Sequence, residues 1–365
     1  MDVPKNSSPN EPITIEAVRR RPKVLLHDHL DGGLRPATIL ELAGDCGWTA
    51  NLPSTDPEEL RRYFIRGAES RNILQYLATF EHTVAVLQTE GALERVAFEA
   101  VADLATDGVV YAEVRFAPEL HTAAGLSLDA VVDAVQSGFR RGVRESVDCG
   151  HEIVVNTIIC AMRTERRSLE IAQLSVRKRA DDDAIVAFDL AGAETGWPPS
   201  LHGAALGLAR AEQMHITIHA SEPPDLLLIS NALEHGAERI GHGVRLLTDV
   251  NVATGEMGRL AQYVRERNIT LELAPSCNVQ IGAVQTLADH PVGPFLRLGF
   301  RATVNTDNRL MSNVSVSSEV HDVAHAHGLS WSEIGQLQRN AIEGSFASWS
   351  QRRDLADRVI SPAYP

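Results

Sequence analysis

Lysine is scarce in this chain: three in 365 residues, at Lys5, Lys23 and Lys178. Lysine and arginine together number 34 against 48 acidic side chains, a formal charge of −14. A surface this acidic repels phosphate backbones and anionic bilayers, which excludes nucleic acid and membrane surfaces as expected partners and leaves a small neutral or cationic molecule. No run approaches the roughly 18 consecutive apolar residues of a membrane span. The first ten residues carry no apolar stretch of the kind that opens a secretion signal. Cysteine is equally sparse. Cys46, Cys149, Cys160 and Cys277 are far apart and none sits in a Cys-x-x-Cys pair, so a disulfide framework is excluded. Free thiols and the missing signal make a cytoplasmic location the expectation.

What is present fits an ordinary globular protein, 44% hydrophobic and 22% charged. Residues 1–14 are polar and Pro-bearing, and are expected to be flexible; residues 15–365 are expected to form one domain. Eight short runs rich in Val and Ile, at 24–30, 109–118, 152–160, 184–192, 215–222, 239–244, 269–276 and 301–308, each stop at polar, Gly or Pro residues. Near-continuous apolar runs suit strands buried on both faces of a parallel sheet. Helix-period patterns fill most intervals, as at 93–104, 128–143, 201–213 and 257–267. Eight strand–helix units predict an α/β (β/α)8 TIM barrel. An insertion at about residues 35–108, between the first two strands, carries further helical patterns at 57–66 and 73–87.

Such a barrel places its chemistry at the C-terminal strand ends, and the unusual residues of this chain fall there. Strand one ends in His27-Asp28-His29-Leu30-Asp31-Gly32-Gly33, strand five in His219-Ala220-Ser221-Glu222, strand six in Gly241-His242-Gly243 and strand eight in Asn305-Thr306-Asp307-Asn308. Side chains alternate along a strand, so His27, His29 and Asp31 share a face. Singly these signals are bland: a histidine between glycines serves as readily in a core, and an Asp closing a strand commonly caps a helix. Jointly, three His and one Asp from strands one, five and eight would converge at one mouth and leave a coordination position for water, as in a catalytic zinc site. A bridged two-metal site would need a carboxylated lysine at a middle strand end; strand four ends instead in Asp189-Leu190-Ala191-Gly192-Ala193-Glu194, so a single metal is expected. The other ten histidines, among them His290, His321 and His325, read as core or solvated helix residues. Walker and Rossmann phosphate loops are absent, as is the His-x-Glu and Pro-Cys-x-x-Cys pattern.

The ordered set His27-Asp28-His29-Leu30-Asp31-Gly32, Val109-Val110-Tyr111-Ala112-Glu113-Val114-Arg115-Phe116-Ala117-Pro118, His219-Ala220-Ser221-Glu222, Gly241-His242-Gly243-Val244 and Asn305-Thr306-Asp307-Asn308 resembles the adenosine deaminase family, over about residues 22–350. The resemblance implies one zinc per chain, held by His27, His29, His219 and Asp307, and no organic cofactor. It implies that Glu222 protonates the purine N1, and that His242 orients the attacking water and, with Asp307, helps deprotonate it. It places His29, Asp31, Gly192 and Asn308 on the substrate: Asp31 at a ribose hydroxyl, the Gly192 N–H at N3, Asn308 at N7. The chemistry is consistent. Attack at C6 needs an activated water at neutral pH, and breaking aromaticity needs an acid of raised pKa at N1.

Two positions depart from that family's pattern. Asn308 stands where many members have Asp; an amide can donate to N7 without proton uptake. Ser221 stands where Gly is usual, before Pro223-Pro224, and is expected to narrow the pocket or add a hydroxyl contact. In the insertion, Phe64, Ile65, Leu77 and Phe80 resemble the family's lid, and ordinary helix packing accounts for them equally well. The function expected is hydrolytic deamination of adenosine and deoxyadenosine, a small-molecule purine nucleoside being the partner. The same chemistry on another 6-aminopurine and a silent nucleoside-binding barrel stay open as alternatives; a metal-dependent esterase is disfavoured by the single-metal set. The oligomeric state is not legible.

Overall fold

The computed structural model describes residues 11–364. Its centre is one sheet of eight parallel strands in sequence order: β1 (Lys23–His29), β2 (Val109–Phe116), β3 (Val154–Met162), β4 (Ile185–Ala191), β5 (His215–Ala220), β6 (Arg239–His242), β7 (Thr270–Leu273) and β8 (Ala302–Val304). Neighbouring strands pair in parallel throughout. All eight residues of β2 and all seven of β4 are buried, as strands covered on both faces require. The sheet closes between β8 and β1. There His29 N donates to Asp307 O at 2.7 Å and Asp307 N donates to His27 O at 3.0 Å, around a parallel bridge between Asp28 and Asp307. This is the expected (β/α)8 barrel.

The eighth run yields only three strand residues. Asn305, which follows, turns its side chain on the backbone: its Oδ1 accepts from Leu26 N and its Nδ2 donates to Leu273 O. Helices cover the outside, and polar caps start them. Thr89 accepts from Ala92 N to open the Glu90–Thr106 helix, and Ser127 accepts from Ala130 N to open Leu128–Asp148. The patterns at 93–104 and 128–143 lie inside those two helices, whereas the pattern at 201–213 narrows to Gly203–Ala211 after a short 3-10 turn.

Between β1 and β2 stand helices Pro36–Cys46, Pro57–Ala68, Ile73–Ala78 and Phe80–Val86, before Glu90–Thr106. The single helical pattern at 73–87 becomes two helices. The Thr79 hydroxyl donates to Tyr76 O at 2.7 Å and ends the first of them. Of the N-terminal segment expected to be flexible, residues 1–10 lie outside the described residues. The remainder is anchored: Glu11 pairs with Arg20 and Arg21, its carbonyl accepts from Trp331 Nε1, and Thr14 caps a helix.

Candidate active site

At the C-terminal mouth of the barrel, His27 and His29 come from β1, His219 from β5, and Asp307 from the turn after β8. One ligand atom from each lies within 4.8 Å of all the others. His29 Nε2 is 3.2 Å from His219 Nε2, and Asp307 Oδ1 is 3.2 and 3.4 Å from the Nε2 atoms of His27 and His29. Three imidazoles and a carboxylate converging on one point are a zinc-type donor set.

A second layer fixes the rings. His27 Nδ1 donates to Glu272 Oε2 at 2.8 Å, and His219 Nδ1 to Asp189 Oδ2 at 3.0 Å. With Nδ1–H so committed, Nε2 offers its lone pair to the common centre. The Nε2 of His27 is buried without a hydrogen-bond partner. Arg115, wholly buried, holds both carboxylates, at 2.8 Å from Asp189 and 2.7 Å from Glu272. Burial alone would raise both carboxyls. His219 and Arg115 instead hold Asp189 well below the usual carboxylate range, and Arg115 and Arg239 do so for Glu272. The chain continues to the barrel floor through Arg239 and Glu113, 2.6 Å apart. Glu113, Glu272, Asp189 and Asp307 are four carboxylates against the guanidiniums of Arg115 and Arg239. Carboxylates outnumber guanidiniums in this network, which favours a cation among them. Orphaned lone pair, donor set and charge therefore all fit a metal.

Three residues at this mouth have left-handed backbones without being glycine: Ser221 (φ 75°), His242 (φ 62°) and Asp307 (φ 57°). Each such residue costs on the order of 1–2 kcal/mol, compensated by surrounding contacts. At the first, Glu194 accepts from Ser221 N at 2.8 Å and Glu222 N at 3.0 Å. The kink after β5 thereby brings the Glu222 carboxylate 3.5 Å from His242 Nε2. Burial, then the charges of Glu194 and Asp307, push the Glu222 carboxyl well above its ordinary pKa, which suits a proton donor.

A cavity of about 470 Å³ opens over this cluster. His29, Asp31, Gly192, His219, Glu222, His242, Asp307 and Asn308 all line it; His27 lies beneath. Burial pushes the Asp31 carboxyl up to about 7, and its Oδ1 has no partner. Gly192, which lines the cavity, has φ 95°, a backbone conformation that favours glycine. Asn308 Nδ2 donates to the Tyr76 hydroxyl at 2.8 Å.

One expectation changes, and the insertion's apolar residues divide between the two readings open for them. Ser221 and Pro223-Pro224 do not line the cavity; the left-handed turn carries the Ser221 side chain elsewhere, and its hydroxyl is buried without a partner. Of the four apolar residues in the insertion, Leu77 and Phe80 reach the cavity, whereas Phe64 belongs to the core and Ile65, half-buried, does not line the cavity. Sequence reasoning gave no role to Arg115, Asp189, Glu194, Tyr76, Glu272, Asn278 or His290. The usable signal was a charge inside an apolar strand run, as with Glu272 in 269–276: a buried charge needs a partner.

Comparison with known proteins agrees with this geometry. A family model described as adenosine deaminase matches residues 22–362. An adenosine deaminase of Mycobacterium sp. (strain KMS) is 49% identical over 357 residues, covering 97% of this chain and 98% of that protein. Adenosine deaminase 1 of Streptomyces coelicolor is 50% identical over 353 residues, covering 96% and 88%. Among solved structures, the adenine deaminase of Arthrobacter aurescens superposes with a TM-score of 0.81 at 28% identity, covering 93% of this chain and 98% of its own.

Proposed function

The chain belongs to the adenosine deaminase family, and on that premise we propose that this aminohydrolase converts adenosine and deoxyadenosine to inosine and deoxyinosine with release of ammonia. The observation that carries the reading is the convergence of His27, His29, His219 and Asp307 beneath a cavity that also holds Glu222 and His242. Those four residues would hold one zinc per chain. When bound, the cation supplies the Lewis acidity that activates water near neutral pH.

Every other contribution comes from the chain's own groups. Glu222, kept protonated by its buried setting, gives its proton to N1 and makes C6 electrophilic. His242 and Asp307 flank the water that adds at C6. One water proton leaves with the C6 amine as ammonia, the other restores Glu222, and the N1 proton stays on the 6-oxopurine. Asp31 stands for a ribose hydroxyl, the Gly192 N–H for N3 and Asn308 for N7. Among the described residues the cavity lining contains no Lys or Arg but does contain Asp31, Glu81, Glu222 and Asp307. A phosphate dianion would find no counter-charge there, which favours the nucleoside over its 5′-phosphate.

No helix among the described residues is long and apolar enough to cross a membrane, and all four cysteines are free; both support the cytoplasmic location we propose. The decisive experiment follows ultraviolet absorbance with adenosine, deoxyadenosine, adenine and AMP, with metal content determined on the same sample. Rapid turnover of the two nucleosides at about one zinc per chain is expected. Turnover of adenine alone would replace the substrate, and failure of the whole panel at full zinc would leave a silent binder.

A further inference from the structure

Behind His242 runs a hydrogen-bond chain whose polarity is set by one backbone amide. Val292 N–H lies 3.2 Å from His290 Nδ1, and an amide N–H can only donate. His290 Nδ1 is therefore an acceptor, and the ring is neutral with its proton on Nε2. Its environment agrees: His290 is fully buried, and burial, followed by the charge of His327, pushes its pKa down to about 3. Its Nε2–H must find an acceptor and meets Asn278 Oδ1 at 3.1 Å. That contact orients the amide, so Asn278 Nδ2 is the atom 3.0 Å from His242 Nδ1. An amide nitrogen also only donates. His242 Nδ1 thus accepts, and the proton of His242 lies on Nε2, the atom facing Glu222 and the cavity.

We propose that Asn278 and His290 are positioning residues that hold His242 as its Nε2–H tautomer, so that His242 meets the attacking water as a hydrogen-bond donor and the water proton passes to Asp307. The inference rests on the reading of the site as a hydrolytic one. It narrows the expected role of His242 from base and orienter to orienter, and gives His290, which the sequence marks as an ordinary core histidine, a part in the reaction geometry. All three residues of the relay are buried, so water does not scramble its direction.

Asn278→Asp is the test, since it keeps shape and reverses one bond. The introduced carboxylate still accepts from His290 Nε2–H but must also accept from His242 Nδ1, which moves the His242 proton from Nε2 to Nδ1. Imidazole 15N spectra of histidine-labelled enzyme, with the His242 signals assigned by their loss in His242→Gln, read the tautomer directly. The wild type is expected to show a protonated Nε2 and Asn278→Asp a protonated Nδ1. The kcat is expected to fall about 100-fold or more, the scale of one misplaced proton-handling group, with KM for adenosine within about threefold of wild type. A wild-type spectrum with the proton on Nδ1 overturns the proposal, as does an inverted spectrum at unchanged kcat. The wild-type spectrum decides even if the variant does not fold. It also decides if adenosine is not turned over, which would count against the proposed function alone.

Discussion

The Asn308 side-chain amide donates to the Tyr76 hydroxyl at 2.8 Å, tying the Ile73–Ala78 helix of the insertion to the end of β8. Both groups are buried, and Asn308 lines the cavity, where we propose that it meets the purine N7. Loss of a neutral buried hydrogen bond costs about 1 kcal/mol, roughly a fivefold change in an equilibrium. Tyr76→Phe is therefore expected to raise KM for adenosine several-fold with little change in kcat, measured in steady state. An unchanged KM would show that this tie does not set substrate affinity.

Glu222→Gln keeps the size of the side chain and removes its acid. The variant is expected to bind zinc normally and to lose about 10²–10⁴ of kcat, checked by metal analysis alongside the assay. Near-normal turnover would remove Glu222 from the mechanism.

The same carboxyl predicts a pH dependence with a definite sign. In the proposed mechanism its protonated form is the working acid, so kcat/KM should fall as pH rises through its elevated folded pKa. The charge of Glu194 contributes to that elevation. In Glu194→Gln the alkaline limb of the pH–rate profile should move to lower pH. A limb that stays in place would mean another group titrates. Stability follows the same direction: a carboxyl whose pKa is raised on folding binds more protons folded than unfolded between the two pKa values. Its contribution to stability is therefore lost as pH rises through that window.

Removing the metal should cost stability as well as turnover. Two guanidiniums face four buried carboxylates around the site. At free metal about 1,000-fold above Kd, binding contributes about 4 kcal/mol. Chelated protein is expected to melt several degrees lower and to recover on adding zinc. Arg115→Met, which strips Asp189 and Glu272 of their shared partner, should weaken zinc affinity about 10–100-fold. A melting temperature indifferent to chelator would argue against a bound cation.

Ser221→Gly removes a left-handed non-glycine residue and a buried hydroxyl without a partner. The variant should be more stable by about 1 kcal/mol, with its preference among 6-aminopurines unchanged, because Ser221 does not line the cavity. A shifted substrate preference would place the hydroxyl in recognition after all.

Barrel and strand-end residues were readable because buried parallel strands are written as apolar runs, and chemistry-bearing residues interrupt those runs where they stop. His27, His29, His219 and Asp307 each sit at such an interruption. The supporting layer was not readable in this way. Glu272 and Asp189 lie inside the runs, and their partners Arg115 and Arg239 come from other strands. Asn278 and His290 are twelve residues apart and meet only through the fold. Ser221 misled because its side-chain direction depends on a positive φ that no local pattern announces.

The left-handed residues at positions 221, 242 and 307 have a consequence for anyone who would transplant this constellation. An idealised barrel keeps non-glycine residues out of that region of backbone space, and its strands would aim alternate side chains to opposite faces. Grafting the side chains onto such a scaffold would copy the parts list but not the hinges on which they turn. The kinks, and the Glu194 carboxylate that staples one of them, have to travel with the residues they aim.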